Sequence, residues 1–347
     1  MKVEIVDAAA DRTMRDAFLR LPHDVYAHDP HRVPRLASAD RAALAHPRYA
    51  EGQHGLLALV DGRPTARVLA RRVAIPSVSA TAPVGCLGLF ECVTPPDGAE
   101  ALLRAAVARL TAEGVDQVLG PLEGDTWHRY RLNVGPFGDP PFPMEPWNPP
   151  YYEAVWRAAG FVDAVRYVSV RISDLAAMLD RLLPRLEAAR AAGYRFRRFD
   201  PARPEQEFDH LYALSLAGFR DNPVYSDIPH DEFDALYRPV LPSVRPELVQ
   251  LALGPDGEAA GFVFGFVDVE AGVPTYSLKS IAVLPPHRQR GVAGALTALA
   301  LQGAQELGAR QVNFCLLHEG NPSRRLAGGQ GRVFRRYVLF RHAGGQA

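Results

Sequence analysis

The chain has 347 residues, 48% of them apolar, with 39 basic and 39 acidic side chains. That length and apolar content suit two globular domains, and the neutral balance leaves no electrostatic footprint for wrapping nucleic acid or lying on an anionic membrane. The expected partner is a small-molecule amine rather than a membrane or a nucleic acid. No stretch approaches the roughly 18 apolar residues of a membrane helix, and the first residues lack a cationic start followed by an apolar run, so a cytoplasmic location is expected.

In chain order, the first helix leads to His23, His28 and His31, whose spacing fits no zinc pattern; a solvated loop and no metal are expected there. Residues 56–72 read as strand, turn and strand around Asp61-Gly62. A strand at 88–93 runs into Pro95-Pro96, then into an alanine- and leucine-rich helix at 99–113 closed by Gly114, then into a strand at 116–119. Cys86, Cys92 and Cys315 are sparse and lie on apolar strand-like stretches, which suits reduced core thiols better than disulfides.

The connection from Gly120 to the proline-rich run ending at Pro150 is long for a compact domain, and such connections often line binding sites. Trp127, Tyr130, Arg131 and Glu145 combine aromatic faces with charge, as small-molecule pockets do; the alternative is that the aromatics staple the loop to its own lobe. A helical connector follows at 173–192, and 211–237 reads as helix, loop and helix.

The second half then repeats the plan of the first. It has a strand, a turn around Pro255-Asp256-Gly257 and a strand within 248–269; a strand at 276–284 into Pro285-Pro286; a helix at 292–306 closed by Gly308; and a strand at 311–317. The offset is about 195 residues at the turns and helix ends but about 190 at the proline pairs, so roughly four residues are missing from the first half between strand and helix.

In the second half that place holds Arg288-Gln289-Arg290-Gly291-Val292-Ala293-Gly294. A helix N-terminus exposes unpaired backbone N–H groups with partial positive charge, and Gly291, Ala293 and Gly294 allow an anion to approach them. Arg288 and Arg290 add planar donors suited to phosphate oxygens. A pyrophosphate is the implied ligand. No Gly-Lys-Ser/Thr follows, and no strand–helix–strand with a ribose-binding acid is present, which excludes the nucleotide-kinase loop and the dinucleotide fingerprint.

The run from Arg288 to Ala293 resembles the Arg/Gln-x-x-Gly-x-Gly/Ala loop of the GNAT superfamily of acyl-CoA-dependent N-acyltransferases. Residues 280–285 resemble that family's fourth strand, 311–317 its fifth, and Asn321 the asparagine that often opens the next helix. The resemblance covers about 247–341, and the repeat extends it to the first half. It implies an α/β protein of two tandem GNAT-like folds, each a mixed twisted sheet flanked by helices: a degenerate lobe at 1–172, the connector at 173–192 and an acyltransferase lobe at 193–347.

The resemblance further implies acetyl-CoA as acyl donor. Its pyrophosphate would lie on Arg288, Gln289, Arg290, Gly291, Val292, Ala293 and Gly294, with Asn321 also a coenzyme contact, and its pantetheine arm on backbone groups of Ile281 and Val283. The N–H of Val283 would hold the developing oxyanion. In the first half the corresponding loop is shorter and carries Asp97 and Glu100, so coenzyme A is not expected there.

Strand alternation puts Ser277, Lys279, Ile281 and Val283 on one face and Tyr276, Leu278, Ser280 and Ala282 on the other. The family's frequent glutamate would fall near Ser277 and its frequent tyrosine near Ala327, and both are absent. Proton transfer is left to water relayed by Ser277 or Tyr276, to Ser323 or Tyr337, or to positioning alone. Lys279 is a candidate partner for a substrate carboxylate, or a strand-end cap. By resemblance, Tyr225 and Asp227 sit in the loop that covers the acceptor. The expected activity is amine acetylation in a ternary complex. The rivals are a non-catalytic acyl-CoA sensor and an aminoacyl-tRNA-dependent transferase, the latter requiring a broad basic groove.

Overall fold

The computed structural model describes residues 1–9, 11–31, 37–49, 52–270, 272–327, 329 and 331–345. The first half contains β1 (Val3–Asp7), α1 (Arg12–Val25), α2 (Ala37–Leu44), β2 (Gln53–Val60), β3 (Arg63–Val73), β4 (Val84–Cys92), α3 (Ala99–Ala112), β5 (Val118–Gly120), β6 (Leu132–Gly135), α4 (Tyr152–Ala158) and β7 (Phe161–Ile172). The second contains α5 (Leu175–Ala191), β8 (Arg195–Arg198), α6 (Pro204–Phe219), α7 (His230–Tyr237), β9 (Gln250–Leu253), β10 (Ala259–Glu270), β11 (Val273–Val283), α8 (Val292–Glu306), β12 (Gln311–His318) and β13 (Arg332–His342).

Local chemistry sets many of these boundaries. The Asp11 carboxylate accepts the Met14 N–H at 2.8 Å and starts α1, which continues through Pro22, so His23 lies on the helix rather than in the loop expected after it. Asp61 and Gly62 both have positive φ, 47° and 80°, the geometry a two-residue hairpin between β2 and β3 requires. The helices α3 and α8 each begin at a left-handed glycine, Gly98 (φ 80°, ψ −12°) and Gly291 (φ 81°, ψ −7°), so the repeat in sequence is also a repeat in backbone geometry.

One continuous sheet runs β1-β2-β3-β4-β5-β13-β7-β12-β11-β10-β9-β8, with β6 also pairing β13. Among the described residues, the parallel neighbours on this path are β4 with β5 and β11 with β12, joined by the crossover helices α3 and α8. Its centre departs from a simple tandem. The last strand of the first half, β7, pairs with β12 of the second (Val312↔Ile172, His318↔Tyr167). The chain's last strand, β13, lies between β7 and β5, where Phe340 faces Gly120.

The two halves therefore exchange their terminal strands, and each core is completed by the other. Val338 and Phe340 of β13 pack with α3 and α4, while Val168, Val170 and Ile172 of β7 pack with α5 and α8. The connector is itself a core element: Met178, Leu182 and Leu186 of α5 are buried in the cluster that contains α8. The three cysteines are buried and free, their thiol pKa values raised chiefly by burial. Among the described residues, no helix is long and apolar enough to cross a membrane.

Candidate active site

Parallel pairing of β11 with β12 runs from Thr275↔Gln311 to Leu278↔Phe314 and then ends. The cause lies in both strands. Phe264 pairs with Ser280 and Gly265 with Leu278, leaving Lys279 as an extra residue in a β-bulge. On β12, the pairing with β7 skips between Phe314 and Leu317, and Leu316 takes a φ of 57°.

The bulge also inverts the side-chain alternation. Tyr276 and Leu278 belong to the α5–α8 core, and so do Ile281 and Val283 beyond the bulge, while Ala282 turns toward α6 with Leu214 and Phe262. The single face expected for Ser277, Lys279, Ile281 and Val283 is thus broken at Lys279. The backbone follows the same logic. Leu284 N–H donates to Ala260 O at 2.9 Å, so the groups of Ala282 and Leu284 face β10 and those of Ile281 and Val283 face the gap.

The loop into α8 stands at the end of this gap. The first helical bond runs from Ala295 N–H to Gly291 O at 2.9 Å, and no side chain caps the helix, so the N–H groups of Val292, Ala293 and Gly294 are free of helical partners. Arg288 donates through Nε to Val283 O at 3.1 Å and pairs with Asp221 at 3.0 Å. Gly294 has a different task from the one expected. A Cβ there would lie 2.5 Å from Cδ of Arg185, so this glycine lets α5 cross α8 closely. The crossing brings the exposed Arg185 to the loop, a contact that local sequence could not reveal.

The first half has no such opening. Leu122 N–H bonds Leu87 O at 2.8 Å, and a Cβ on Gly88 would lie 2.8 Å from Glu123 Cγ, so residues after β5 lie across the place where the strands would part. The cavity left beside them is about 30 Å³, room for a water or two.

Residues 209–328 match the acetyltransferase (GNAT) family model. The chain carries a GNAT domain.

Solved structures extend the likeness to the whole fold. One is a GCN5-related glucosamine N-acetyltransferase region of a fungal multi-domain GH3 β-N-acetylglucosaminidase: TM-score 0.59, 16% identity, 98% of this chain and 38% of that one. Another is the tandem GNAT protein of the clavulanic acid biosynthesis pathway: TM-score 0.55, 15% identity, all of both chains. A third is a GCN5-related N-acetyltransferase of Anabaena variabilis: TM-score 0.54, 9% identity, 98% and 72%. The chain thus spans well under half of the first of these proteins. No curated protein matches it. The fold is a tandem GNAT fold.

Within the GNAT domain, several residues expected to act are otherwise engaged. Tyr276 is fully buried in the α5–α8 core, and its hydroxyl pKa is raised by that burial. Ser277 is 1% exposed and donates to Glu270 Oε1 at 3.2 Å. Glu270 also accepts both from Asn313, at 2.9 Å, and from Arg171. A carboxylate therefore does stand beside Ser277, but it comes from β10, is 3% exposed and is paired. Tyr337 donates to Glu145, whose carboxyl lies 3.0 Å from Arg335 Nε and is pushed up to about 7 by burial.

Asn321 opens a short 3₁₀ turn, Pro322–Arg325, and its side-chain oxygen accepts Ser323 N–H at 2.8 Å; Ser323 is half-buried on that turn.

The expected acceptor contacts divide. Trp127 and Tyr225 fasten the α6–α7 loop to the first lobe. Trp127 is buried among Phe219, Tyr225 and Phe233 and donates Nε1–H to Ser226 O at 2.8 Å; Tyr225 donates its hydroxyl to Asp227 at 2.7 Å. Trp127 and Tyr225 are thus buried at the contact between the lobes, whereas Asp227 is exposed and its carboxylate accepts within its own loop. Tyr130, Arg131 and Lys279, by contrast, belong to the gap. The Arg131 guanidinium lies 3.8 Å from the Tyr130 ring and 4.4 Å from the Tyr167 ring. Burial, and then the charge of Arg131, push the Lys279 ammonium down to about 8. The same two causes lower His318.

Proposed function

We propose that this protein is an acyl-CoA-dependent N-acyltransferase that moves acetyl from acetyl-CoA to an amine by direct attack in a ternary complex, with the chemistry in its second lobe. One observation carries the reading: the strands part at the Lys279 bulge, and the gap leads to the uncapped N-terminus of α8.

The residues present fit the coenzyme. Its diphosphate would meet the orphan N–H groups of α8 with Arg288 and Arg290, and Arg288 would give up only an exposed ion pair with Asp221, which holds it weakly. The pantetheine arm would pair with Ile281 and Val283, as a short added strand. Because Val283 O is bonded by Arg288 of the loop, Val283 would lie toward the diphosphate end of the arm, and a residue nearer the bulge would meet the thioester. On this reading the oxyanion donor would be Ile281 N–H in place of Val283.

The amine would enter from the junction of the lobes, past Arg131 and Lys279. Neighbouring cations disfavour an incoming ammonium and favour the neutral, nucleophilic amine. Lys279, titrating near 8, takes the proton of the attacking amine and returns it to the departing thiolate, the two tasks left open by the missing glutamate and tyrosine.

Calorimetry with acetyl-CoA tests the donor site. Replacing Arg288 and Arg290 together by Ala is expected to weaken binding about 10- to 100-fold, the value of one or two charge-assisted bonds, while Asp221→Asn, which frees Arg288, leaves it unchanged or tighter. Unchanged affinity in the double variant refutes the site. Thiol release with a panel of amines separates an enzyme from a sensor, which would bind acetyl-CoA without turnover.

A further inference from the structure

A second constellation, separate from the transfer site, lies where the α6–α7 region docks on the first lobe. His46 follows α2, His128 belongs to the long connection after β5, and Glu232 is in the first turn of α7. His128 Nε2 is 3.1 Å and His46 Nε2 3.5 Å from the same oxygen, Glu232 Oε1. One ligand atom from each residue lies within 4.8 Å of the others. Ligand atoms about 2.0–2.1 Å from a tetrahedral ion are separated by roughly 3.3 Å, which the two shorter distances bracket.

The hydrogen bonding points the same way. His128 Nδ1 is bonded to Asp125 Oδ1 at 2.8 Å, but Nε2 is buried and has no hydrogen-bond partner, and neither has Glu232 Oε1. The nitrogen and the oxygen lie 3.1 Å apart without the geometry of a hydrogen bond between them. The His128 side chain is only 9% exposed, a costly place for an unpartnered nitrogen. A carboxylate on one imidazole nitrogen, with the other nitrogen free, is the arrangement that orients a histidine for a metal.

Asp125 is itself fixed by Ser226 Oγ, by Trp127 N–H at 3.1 Å and by Arg48 at 3.1 Å. Arg48 also lies 3.6 Å from Glu232, so its charge is shared by the two carboxylates, and an ion would be held by Glu232 and the deprotonated forms of the two imidazoles. The buried Tyr49 hydroxyl is also without a hydrogen-bond partner, and its ring lies 5.0 Å from that of His46 and 6.0 Å from that of His128. Gly124 lets the Tyr49 hydroxyl and the His128 ring pack closely against the chain, since a Cβ there would lie 2.5 Å from the Tyr49 oxygen.

We propose that His46, His128 and Glu232 bind a divalent transition metal, with zinc favoured by the two-imidazole, one-carboxylate set, and that the ion ties α7 to the first lobe. The histidines involved are not those the sequence brought together at 23–31, because the ligands come from three distant parts of the chain.

The test uses the tag-free full chain, stripped with a chelator and titrated with Zn²⁺, and with Co²⁺ for its visible absorption. Expected are one Zn²⁺ per chain, a raised thermal midpoint and cobalt bands of a four- or five-coordinate site. His46→Ala and Glu232→Gln should each weaken zinc binding by about 10- to 100-fold or more, with acetyl-CoA affinity unchanged. His46 is the most exposed ligand, so its loss should leave the metal-free fold intact. Two results overturn the proposal. Absence of stoichiometric zinc would mean that a protonated His128 simply bridges Asp125 and Glu232, and equal zinc binding by both variants would place the metal elsewhere.

Discussion

Replacing Lys279 by Met should stabilise the protein while removing its activity. The ammonium pKa falls from 10.5 to about 8 on folding, first by burial and then by the charge of Arg131. The folded state therefore resists the proton that the unfolded chain accepts, at a cost of about 3 kcal/mol where the lysine is charged in both states. By area the residue is only half-buried, so solvent screening reduces this to about 1–2 kcal/mol. Since the folded pKa is the lower one, the penalty is fully present below about pH 8 and fades as pH rises from there through 10.5, above which both states are neutral. Lys279→Met should then raise the thermal midpoint by about 1–3 °C at pH 7, and the gap from wild type should close toward pH 10.5. Scanning calorimetry from pH 6 to 10.5 measures both, beside thiol release with any amine found to be a substrate. A destabilised variant, or a gain independent of pH, would show that Lys279 is not a cation held beside Arg131. A stabilised variant with full turnover would remove Lys279 from the chemistry and leave the electrostatic account standing.

Two further outcomes follow from packing. Gly303 on α8 faces the chain before β9 so closely that a Cβ would lie 2.1 Å from Glu247 O; Gly303→Ala, although favourable for an isolated helix, should cost about 1–3 kcal/mol, read from the urea midpoint. Residues 193–347 expressed alone should be insoluble or molten, because β12 loses β7 and β13 loses both β7 and β5. A folded, monomeric fragment with native-like near-ultraviolet circular dichroism would contradict this.

What could be read from the sequence was governed by neighbours in the chain. The helix at 292–306, the hairpin at Asp61-Gly62 and the paired breakers before each crossover helix are set by local periodicity, left-handed glycines and proline, and the structure has them there. The form of the loop at 288–294 was legible for the same reason. Its αL glycine, its basic residues and its uncapped helix start all lie within a few consecutive positions.

The interior of the gap was not legible, because one unmatched residue decides it. Gly265 pairs with Leu278, and a Cβ on it would come within 2.5 Å of both Ser277 O and the Tyr276 ring; with Lys279 left over, every side chain beyond changes face. A lone glycine inside an apolar strand was the available signal. The docking of Trp127 and Tyr225 left no such mark. An aromatic in a loop reads the same whether it meets a ligand or another lobe, and only the exchange of β7 and β13 brings those two loops together. The exchange itself depends on which strand edge each terminal segment finds, a choice that apolar pattern does not encode. It also has a consequence for the site. β7, from the first half, supplies Tyr167 to hold Arg131 beside the gap and Arg171 to pair with Glu270 near Ser277, so the first lobe builds one wall of the gap in the second.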